Sequence, residues 1–251
     1  MNACAVVVLA AGAGTRMRSS RHKVLHEAAG LPLLEHVLRA VDPLEARRVV
    51  VVVGHLGDQV RDAFRERAAG GRLVFAEQRE LLGTGHALAQ AESAVKAAFQ
   101  AGEDGTVLVL NGDGPLLRPQ TLRRMLEAQG DAAGMSVLVA SVTDPSGLGR
   151  VVRAGDSAIA RIVEEKDADE AERAIREINA GAYAFDLGVF ERCRRLPSDN
   201  AQGEQYITGL VDLYLEEGLP VRAVPATAAE EALAVNDQEE LAVVDRALRG
   251  R

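Results

Sequence analysis

Five consecutive valines, Val49–Val53, are the sequence feature that most limits the fold. β-Branched side chains suit extended backbone, and a run without polar alternation offers no face to water. Strands of this kind are covered on both faces, as in parallel sheets packed between helices. Two further apolar runs, Ala5–Leu9 and Val107–Leu110, have the same character. Together the three segments predict a buried, mostly parallel sheet.

Helical patterns alternate with these strands in the first half of the chain. Apolar spacing predicts helices at Leu33–Val41, Val60–Ala69 and Thr84–Phe99. A further short strand is predicted at Leu73–Ala76. Alternation of strand and helix is typical of a Rossmann-like, doubly wound α/β fold, in which ligands bind at the carboxyl ends of the strands.

The second half is less regular and predicts a small antiparallel β excursion beside the main sheet. Strands are predicted at Ser136–Val142, Gly149–Val152, Ile159–Val163, Ala180–Phe185 and Leu219–Val224, and helices at Ala168–Ile178, Tyr206–Glu217 and Gln238–Arg249. No long linker, repeat or low-complexity segment divides the sequence. Residues 1–251 are therefore predicted to form one domain.

Net charge, cysteine content and the N-terminal residues limit the partners and the cellular compartment that the sequence suggests. The formal net charge is −8, which argues against nucleic-acid binding because that depends on many Lys and Arg contacts to phosphates. Cys4 and Cys193 show no metal-ligand spacing and are typical of a reduced, cytoplasmic chain. The first apolar run is short, lacks a preceding basic region and breaks at Gly12, so neither a signal peptide nor a membrane span is expected.

A glycine-rich loop, Leu9–Met17, directly follows the first predicted strand. Gly12 and Gly14 allow a ligand to approach the backbone, whose successive N–H groups can form an anion-binding nest. Arg16 adds a permanent cation suited to phosphate oxygens, and Lys23 can supply a second. The alternative is a tight turn that happens to carry a surface arginine. The two cations favour phosphate binding.

Two better-known phosphate loops are excluded. A P-loop requires Lys-Ser or Lys-Thr after its glycines, and neither is present. A dinucleotide fingerprint requires a third glycine where Met17 stands, and an acidic residue after the second strand, where Gly54 and His55 occur instead.

A second motif consists of Gln78 and the nearby segment Leu82–Ala87. An amide and exposed backbone groups can pair with the hydrogen-bonding edge of a pyrimidine, and the glycines in this motif permit flat contact. The alternative is a plain helix start in which Thr84 is the capping residue. His86 is interpreted as structural rather than catalytic.

A third motif, Asn111–Asp113, ends the strongest apolar strand. An aspartate at the carboxyl end of such a strand can offer a hard oxygen ligand to Mg²⁺. The alternative is a turn cap, because Asp and Asn favour strand ends in any case.

The glycine loop together with Lys23–His26 resembles the signature of sugar-nucleotide pyrophosphorylases. The greatest similarity is to the uridylyltransferase domain of bacterial bifunctional N-acetylglucosamine-1-phosphate uridyltransferases. Six motifs, in order, carry the resemblance through nearly all 251 residues. The chain departs from the family pattern at His22, where proline is usual, and at Gln205 and Gly209.

The resemblance implies a role for each candidate site residue. Leu9, Ala10, Ala11 and Gly12 would line the nucleotide, Arg16 and Lys23 would contact its phosphates as catalytic residues, Gln78, Gly83 and Thr84 would bind uracil, Asn111 and Gly112 would lie beside the substrate, and Gly149, Glu164 and Asn179 would surround the sugar. Asp113 and Asn236 would be ligands of Mg²⁺. Asn236 also precedes the last predicted helix, so its alternative role is an N-cap.

The implied reaction transfers uridylyl from UTP to N-acetylglucosamine 1-phosphate, giving UDP-N-acetylglucosamine and pyrophosphate for cell-envelope precursors. Two alternatives stay open: a related nucleotidyltransferase acting on another sugar 1-phosphate, and a non-catalytic nucleotide-sensing module. The bifunctional enzymes continue into an acetyltransferase β-helix. No hexapeptide repeat occurs before Arg251, so we expect no acetyltransferase activity from these residues. The oligomeric state is left open.

Overall fold

A computed structural model of the chain describes residues 3–130, 132–155 and 158–251, and a nine-stranded sheet lies at its centre. All strands of the described chain except the separate pair β2–β3 belong to this sheet. The strands are β1 (Cys4–Ala10), β2 (Glu27–Ala28), β3 (Leu31–Pro32), β4 (Arg48–Val53), β5 (Leu73–Glu77), β6 (Thr106–Asn111), β7 (Met135–Ser141), β8 (Arg150–Ala154), β9 (Ala158–Val163), β10 (Glu177–Asp186) and β11 (Val221–Pro225). The helices are α1 (Leu33–Val41), α2 (Gly57–Ala63), α3 (Arg65–Ala68), α4 (Thr84–Gln90), α5 (Glu92–Lys96), α6 (Pro119–Gln129), α7 (Glu170–Arg173), α8 (Val189–Cys193), α9 (Leu210–Glu216) and α10 (Gln238–Arg249).

The sheet is mostly parallel, as the sequence predicts. Its order is β11-β7-β10-β6-β1-β4-β5, and β1 pairs in parallel with both β4 and β6. β10 is antiparallel to its neighbours β6 and β7. The antiparallel pair β8–β9 joins the sheet through β10, which confirms the predicted excursion. The sheet draws strands from both halves of the chain, while the single domain over residues 1–251 stays a prediction.

The valine strand explains why both faces of the sheet are covered. Val49, Val51 and Val53 pack into one apolar cluster, and Val50 and Val52 pack into the cluster on the opposite face. Helices α1 and α6 contribute to the first cluster, and α4, α8 and α9 contribute to the second. Each fully buried valine contributes roughly 1.5–3 kcal/mol relative to an exposed one.

Several predicted helices differ from the observed ones. The segment predicted as one helix over Thr84–Phe99 is divided at Ala91 into α4 and α5. The helix predicted over Ala168–Ile178 is wrong at its end, because Glu177 and Ile178 pair with Ser141 and Ala140 of β7. Strand pairing there outweighs local helix propensity. Helices α6 and α8 lie where no element was predicted.

The parallel register gathers four loops at one edge of the sheet. Ala10 is level with Val53, Val53 with Glu77, and Leu9 with Asn111. The loops that follow β1, β4, β5 and β6 therefore meet, and three of them carry a predicted motif. Among residues 3–130, 132–155 and 158–251, no helix has the length and apolar character required to cross a bilayer.

Candidate active site

A cavity of about 410 Å³ lies at the carboxyl ends of the parallel strands. The structure brings together in its lining the predicted residues Leu9, Ala10, Ala11, Gly12, Lys23, Gln78, Gly83, Thr84, Asn111 and Asp113. A smaller adjoining cavity of about 200 Å³ shares Lys23 and adds Arg16 and Asn236. Residues from both ends of the sequence therefore meet at one place.

The glycine loop exposes backbone to the large cavity. A Cβ atom added at Gly12 would have no atom within 4 Å, so this peptide faces open space. Gly14 has φ +60°, and a Cβ there would lie 2.8 Å from Cβ of Lys23. Glycine at position 14 thus satisfies both a left-handed backbone and close contact with the lysine.

Lys23 lies between the two predicted metal ligands. Its ammonium donates to Oδ2 of Asp113 and, over 3.2 Å, to Oδ1 of Asn236. The Lys23 and Asp113 side chains are only 14% and 16% exposed. Asn236 is held nearby because the N–H of Val235 donates to the Asp113 carbonyl over 2.9 Å.

The Asn236 side chain is available to contact Lys23 because the neighbouring residue, Asp237, caps the last helix. Asp237 is the N-cap of α10 and accepts from the N–H of Glu240 over 2.9 Å. The alternative role of Asn236 as an N-cap is therefore wrong. The N–H of Asn236 donates to Glu240 Oε2, which fixes its backbone.

The donor set fits a magnesium ion. Oδ1 of Asp113 is buried and has no hydrogen-bond partner among the described residues. Carboxylate and amide oxygens are hard ligands, and Mg²⁺ commonly uses one or two protein oxygens with water and substrate phosphates completing the shell. Nowhere in the described chain do three or more His, Cys, Asp or Glu residues form a group able to hold a metal.

Gln78 and the loop before α4 form the far end of the cavity. Gln78 is 3% exposed, and its Nε2 lies 3.0 Å from the Gly83 carbonyl and 3.0 Å from Nδ1 of His86. Gly83, with φ +106°, is the N-cap of α4, and a Cβ there would lie 2.6 Å from the Gln205 carbonyl. The alternative role of Thr84 as the capping residue is therefore wrong, and its hydroxyl accepts from the N–H of Ile207 over 2.9 Å.

The three predicted sugar residues meet outside the lining of the large cavity. The N–H of Asn179 donates to the Gly149 carbonyl over 2.9 Å. A Cβ at Gly149 would lie 3.3 Å from Oε2 of Glu164. Oε1 of Glu164 accepts from the Thr208 hydroxyl over 3.0 Å, and burial raises the pKa of this carboxyl.

A β-bulge connects this group to the end of β6. The register of β10 against β7 shifts between Asn179 and Tyr183. Gly181, at φ +71° inside the bulge, packs so closely on the Asn111 amide that any Cβ would collide with it. Gly112 does not line the cavity; its N–H donates to the Leu9 carbonyl over 2.9 Å.

Three further residues of the site had no role predicted from the sequence, although Glu204 and Thr208 lie in segments that match the family pattern. Nδ2 of Asn179 donates to the Tyr183 hydroxyl over 2.5 Å, and burial together with the Glu164 charge raises the pKa of Tyr183. Thr208 holds Glu164, as described above. Glu204 lines the large cavity. Tyr183 lies within an apolar strand pattern, so only the pairing of β10 reveals its contact with Asn179.

His22, the residue that departs from the family pattern, is a buried part of the lining. It is 3% exposed, and its N–H donates to Oε1 of Gln59 over 2.8 Å. Burial and the neighbouring Lys23 charge lower the pKa of His22 to about 4. The ring is therefore neutral near pH 7 and adds no charge beside Lys23.

Comparison with known proteins identifies a family for this chain. A family model described as a MobA-like NTP transferase domain matches residues 6–186. The chain is 48% identical to the bifunctional protein GlmU of Bordetella petrii, over 96% of this chain and 51% of that protein. It is 47% identical to the bifunctional protein GlmU of Corynebacterium aurimucosum, over 99% of this chain and 51% of that protein. The chain thus spans about half the length of the curated relatives it matches.

A solved structure supports the fold. A Bacillus anthracis protein assigned as a glucose-1-phosphate thymidylyltransferase, crystallised with a sucrose, superposes with a TM-score of 0.78. The match covers 99% of this chain and 96% of that one at 22% identity, so it bears on the fold alone. With the family model covering most of the described sheet, the chain belongs to the family of MobA-like NTP transferase domains.

Proposed function

We propose that this chain transfers uridylyl from UTP to N-acetylglucosamine 1-phosphate, giving UDP-N-acetylglucosamine and pyrophosphate. The observation that carries the proposal is the meeting of Lys23, Asp113 and Asn236 at the junction of the two cavities. These groups are suited to phosphates and a metal ion. The similarity to GlmU proteins over nearly the whole chain favours this reaction over transfer to another sugar.

The reaction is an in-line attack by a phosphate oxygen of the sugar phosphate on the α-phosphorus of UTP. The attacking oxygen is already an anion, so no general base is required. Positioning and charge neutralisation then supply most of the catalysis. In this proposal Lys23 stabilises charge on the transferred phosphate, and Arg16, which lines the adjoining cavity, stabilises the leaving pyrophosphate.

Mg²⁺ is the proposed metal, held by Asp113 and Asn236. The orphaned Oδ1 of Asp113 supports the assignment, because a buried carboxylate oxygen without a donor is costly unless a cation approaches it. When bound, the ion would offset the repulsion between the two anionic reactants.

The two substrates divide between the two halves of the site. The large cavity, with Gln78 and Gly83 at one end and the glycine loop along its side, suits a uridine nucleotide. Glu164 and Asn179 supply a carboxylate and an amide, the groups that suit sugar hydroxyls and an acetamido group. The bulge of β10 beside Asn111 joins the two.

Cys4 and Cys193 are free and buried, which agrees with a cytoplasmic setting for the reaction.

The decisive experiment measures pyrophosphate release from UTP and Mg²⁺ with three sugar 1-phosphates in parallel: N-acetylglucosamine, glucose and glucosamine. We expect release to be fastest with the N-acetylated sugar and to be abolished in Asp113→Ala. Fastest release with another sugar would replace the acceptor in the proposal. Tight UTP binding without release from any sugar would support a nucleotide-sensing module instead.

A further inference from the structure

We propose that Tyr183 is a positioning residue for the acceptor sugar, whose hydroxyl fixes the Asn179 carboxamide so that one amide hydrogen stays available to the substrate. The inference rests on the proposed function, because Asn179 is one of the residues proposed to bind the sugar. Tyr183 is only 2% exposed and needs no contact with the substrate. It acts through Asn179, whose side-chain nitrogen lies 2.5 Å from the tyrosine hydroxyl.

The backbone N–H of Gly181 determines which way the Asn179 carboxamide faces. An N–H can only donate a hydrogen bond, so the amide atom 3.1 Å from it is the oxygen, Oδ1. The nitrogen, Nδ2, therefore faces Tyr183, and the hydroxyl accepts one of its two hydrogens. The second hydrogen of Nδ2 has no acceptor among the described residues, and Asn179 is partly exposed. The carboxamide is thus held at both ends and keeps one donor for a ligand.

The β-bulge of β10 brings the two side chains together. On a regular strand, Asn179 and Tyr183 would lie roughly 13 Å apart along the strand. Their partners on β7, Val139 and Val137, are only two residues apart, so the separation along the sheet falls to roughly 7 Å. Bulges beside active sites commonly redirect a side chain in this way. The bulge therefore has a local purpose, which is to place the tyrosine hydroxyl against the amide.

The Tyr183 hydroxyl is held rigidly. Its ring stacks on Phe185, with the ring centroids 5.8 Å apart and an angle of 18° between the planes. Burial, together with the Glu164 charge, raises the pKa of Tyr183, so the hydroxyl keeps its proton near neutral pH. Because this acceptor neither moves nor ionises, Asn179 is ordered before the sugar binds, and binding then loses less conformational entropy.

The test is a double-mutant cycle of Tyr183→Phe and Asn179→Ala, in which pyrophosphate release gives the KM for the sugar 1-phosphate. Phenylalanine fills the same space without the hydroxyl. Tyr183→Phe should therefore raise this KM about fivefold, the equivalent of one hydrogen bond of about 1 kcal/mol, and leave kcat and the KM for UTP unchanged. In Asn179→Ala the amide is absent, so Tyr183→Phe should have no further effect. An equal rise in both backgrounds, or no rise in the unaltered chain, would overturn the inference.

Tyr214→Phe is the matched control. Tyr214 is a buried tyrosine whose ring lies 6.0 Å from that of Phe185, and its hydroxyl has no hydrogen-bond partner among the described residues. Removing this hydroxyl should leave the KM for the sugar 1-phosphate unchanged. A rise equal to that of Tyr183→Phe would assign the effect to the aromatic packing and overturn the inference.

The same measurements separate a failure of this inference from a failure of the proposed function. The cycle is run with the sugar 1-phosphate that gives the fastest release, so a different acceptor would change the proposed function alone. If the unaltered chain releases no pyrophosphate with any sugar 1-phosphate, the proposed function fails and the positioning role fails with it.

Discussion

The Lys23 ammonium pairs with Oδ2 of Asp113, while Oδ1 of the same carboxylate is buried with no partner among the described residues. Asn236 presents its oxygen to the same ammonium. Lys23 therefore contacts Asp113 and Asn236, the two side chains that are proposed to bind the divalent cation. Without nucleotide, the lysine neutralises the carboxylate; with phosphates present, it has a second set of anions to approach.

We predict that Lys23→Met binds Mn²⁺ more tightly in the absence of nucleotide, yet transfers uridylyl more slowly. Removing the ammonium leaves Asp113 without its competing cation, and a competing interaction on the order of 1 kcal/mol corresponds to about fivefold in affinity. Titration of Mn²⁺ followed by electron paramagnetic resonance measures the change. Arg21→Met removes a cation from the exposed pair with Glu27 and serves as the control. Weaker binding by Lys23→Met would show that the lysine supports the metal rather than competing with it.

Arg16→Ala should reduce kcat strongly without altering stability. Arg16 is exposed and lines the smaller cavity with Lys23 and Asn236. Loss of one charge-stabilising donor costs about 3 kcal/mol in the barrier, roughly a hundredfold in rate. Arg18→Ala, an exposed change two residues further along the chain, is the matched control and should lower kcat less than twofold. Steady-state pyrophosphate release reports both values, and equal losses would remove the special role of Arg16.

Gly12→Ala and Gly14→Ala should separate binding from folding. Gly12 faces open space in the large cavity, so an added methyl should leave the free energy of unfolding nearly unchanged but raise the KM for UTP about tenfold by obstructing its approach. At Gly14 the left-handed backbone and the contact with Lys23 make alanine unfavourable by about 1–2 kcal/mol. Urea unfolding and UTP saturation curves measure the two effects. Normal UTP binding by Gly12→Ala would place the nucleotide elsewhere.

How far the sequence predicts this molecule depends on how local each signal is. The valine strand, the glycine loop and the strand-ending Asp113 are recognisable within a few residues, and the parallel register then places them together. Contacts between distant segments are not recognisable in this way. Thr84 to Ile207 and Glu164 to Thr208 join residues 123 and 44 positions apart. Only the three-dimensional path of the chain makes Thr84 an acceptor for a distant N–H instead of a cap.

Helix α6 shows a different kind of failure. Pro119 lies at its first turn, Gly130 follows its last, and Leu122, Met125 and Leu126 are buried at helical spacing. These signals are local and were available in the sequence. By contrast, nothing local distinguishes Glu177 and Ile178 as strand residues, since their extended conformation depends on pairing with β7.

Glu164→Gln should stabilise the protein at alkaline pH while weakening sugar-phosphate binding. Burial raises the pKa of Glu164 in the folded state, so the stability linked to its protonation is present below its ordinary pKa and is lost as pH rises through the raised value. Glutamine carries no such cost, so its advantage in free energy of unfolding should appear at pH 8 and shrink towards pH 4. The KM for the sugar phosphate should rise about tenfold through loss of a charged acceptor.

Glu165→Gln is the matched control for this change. Its carboxylate pairs with Arg150 over 2.5 Å, and that hydrogen bond lowers the pKa of Glu165. The sign of the linkage is therefore reversed: Glu165 contributes stability above its ordinary pKa and loses it as pH falls. Glutamine at 165 should destabilise the protein at pH 8. A gain in stability at pH 8 from Glu165→Gln as well would show that the advantage of glutamine does not depend on the surroundings of the carboxylate it replaces.

The effects of His22→Pro and Gln59→Ala on stability should be coupled, because Gln59 accepts a hydrogen bond from the backbone N–H of residue 22 and proline has no such N–H. Oε1 of Gln59 accepts from the N–H of His22, and its Nε2 donates to the Ser20 carbonyl over 3.0 Å. His22 has φ −56°, which proline can adopt without strain. We expect Gln59→Ala to cost about 1 kcal/mol in the unaltered chain and clearly less in His22→Pro. Urea unfolding of the four proteins at pH 8 completes the cycle, and equal costs in both backgrounds would disprove the coupling.

The unaltered chain and His22→Pro should also differ in how the free energy of unfolding depends on pH. The folded-state pKa of His22 is about 4, below the ordinary value of 6.5, so the unfolded chain binds a proton first as pH falls. The contribution of His22 to stability is therefore complete above pH 6.5 and is lost as pH falls through about 4. His22→Pro lacks this contribution, so its free energy of unfolding should fall less between pH 7 and pH 4 than that of the unaltered chain. Burial also lowers the pKa of His26. Because His26 is present in both proteins, its contribution cancels in the difference between them.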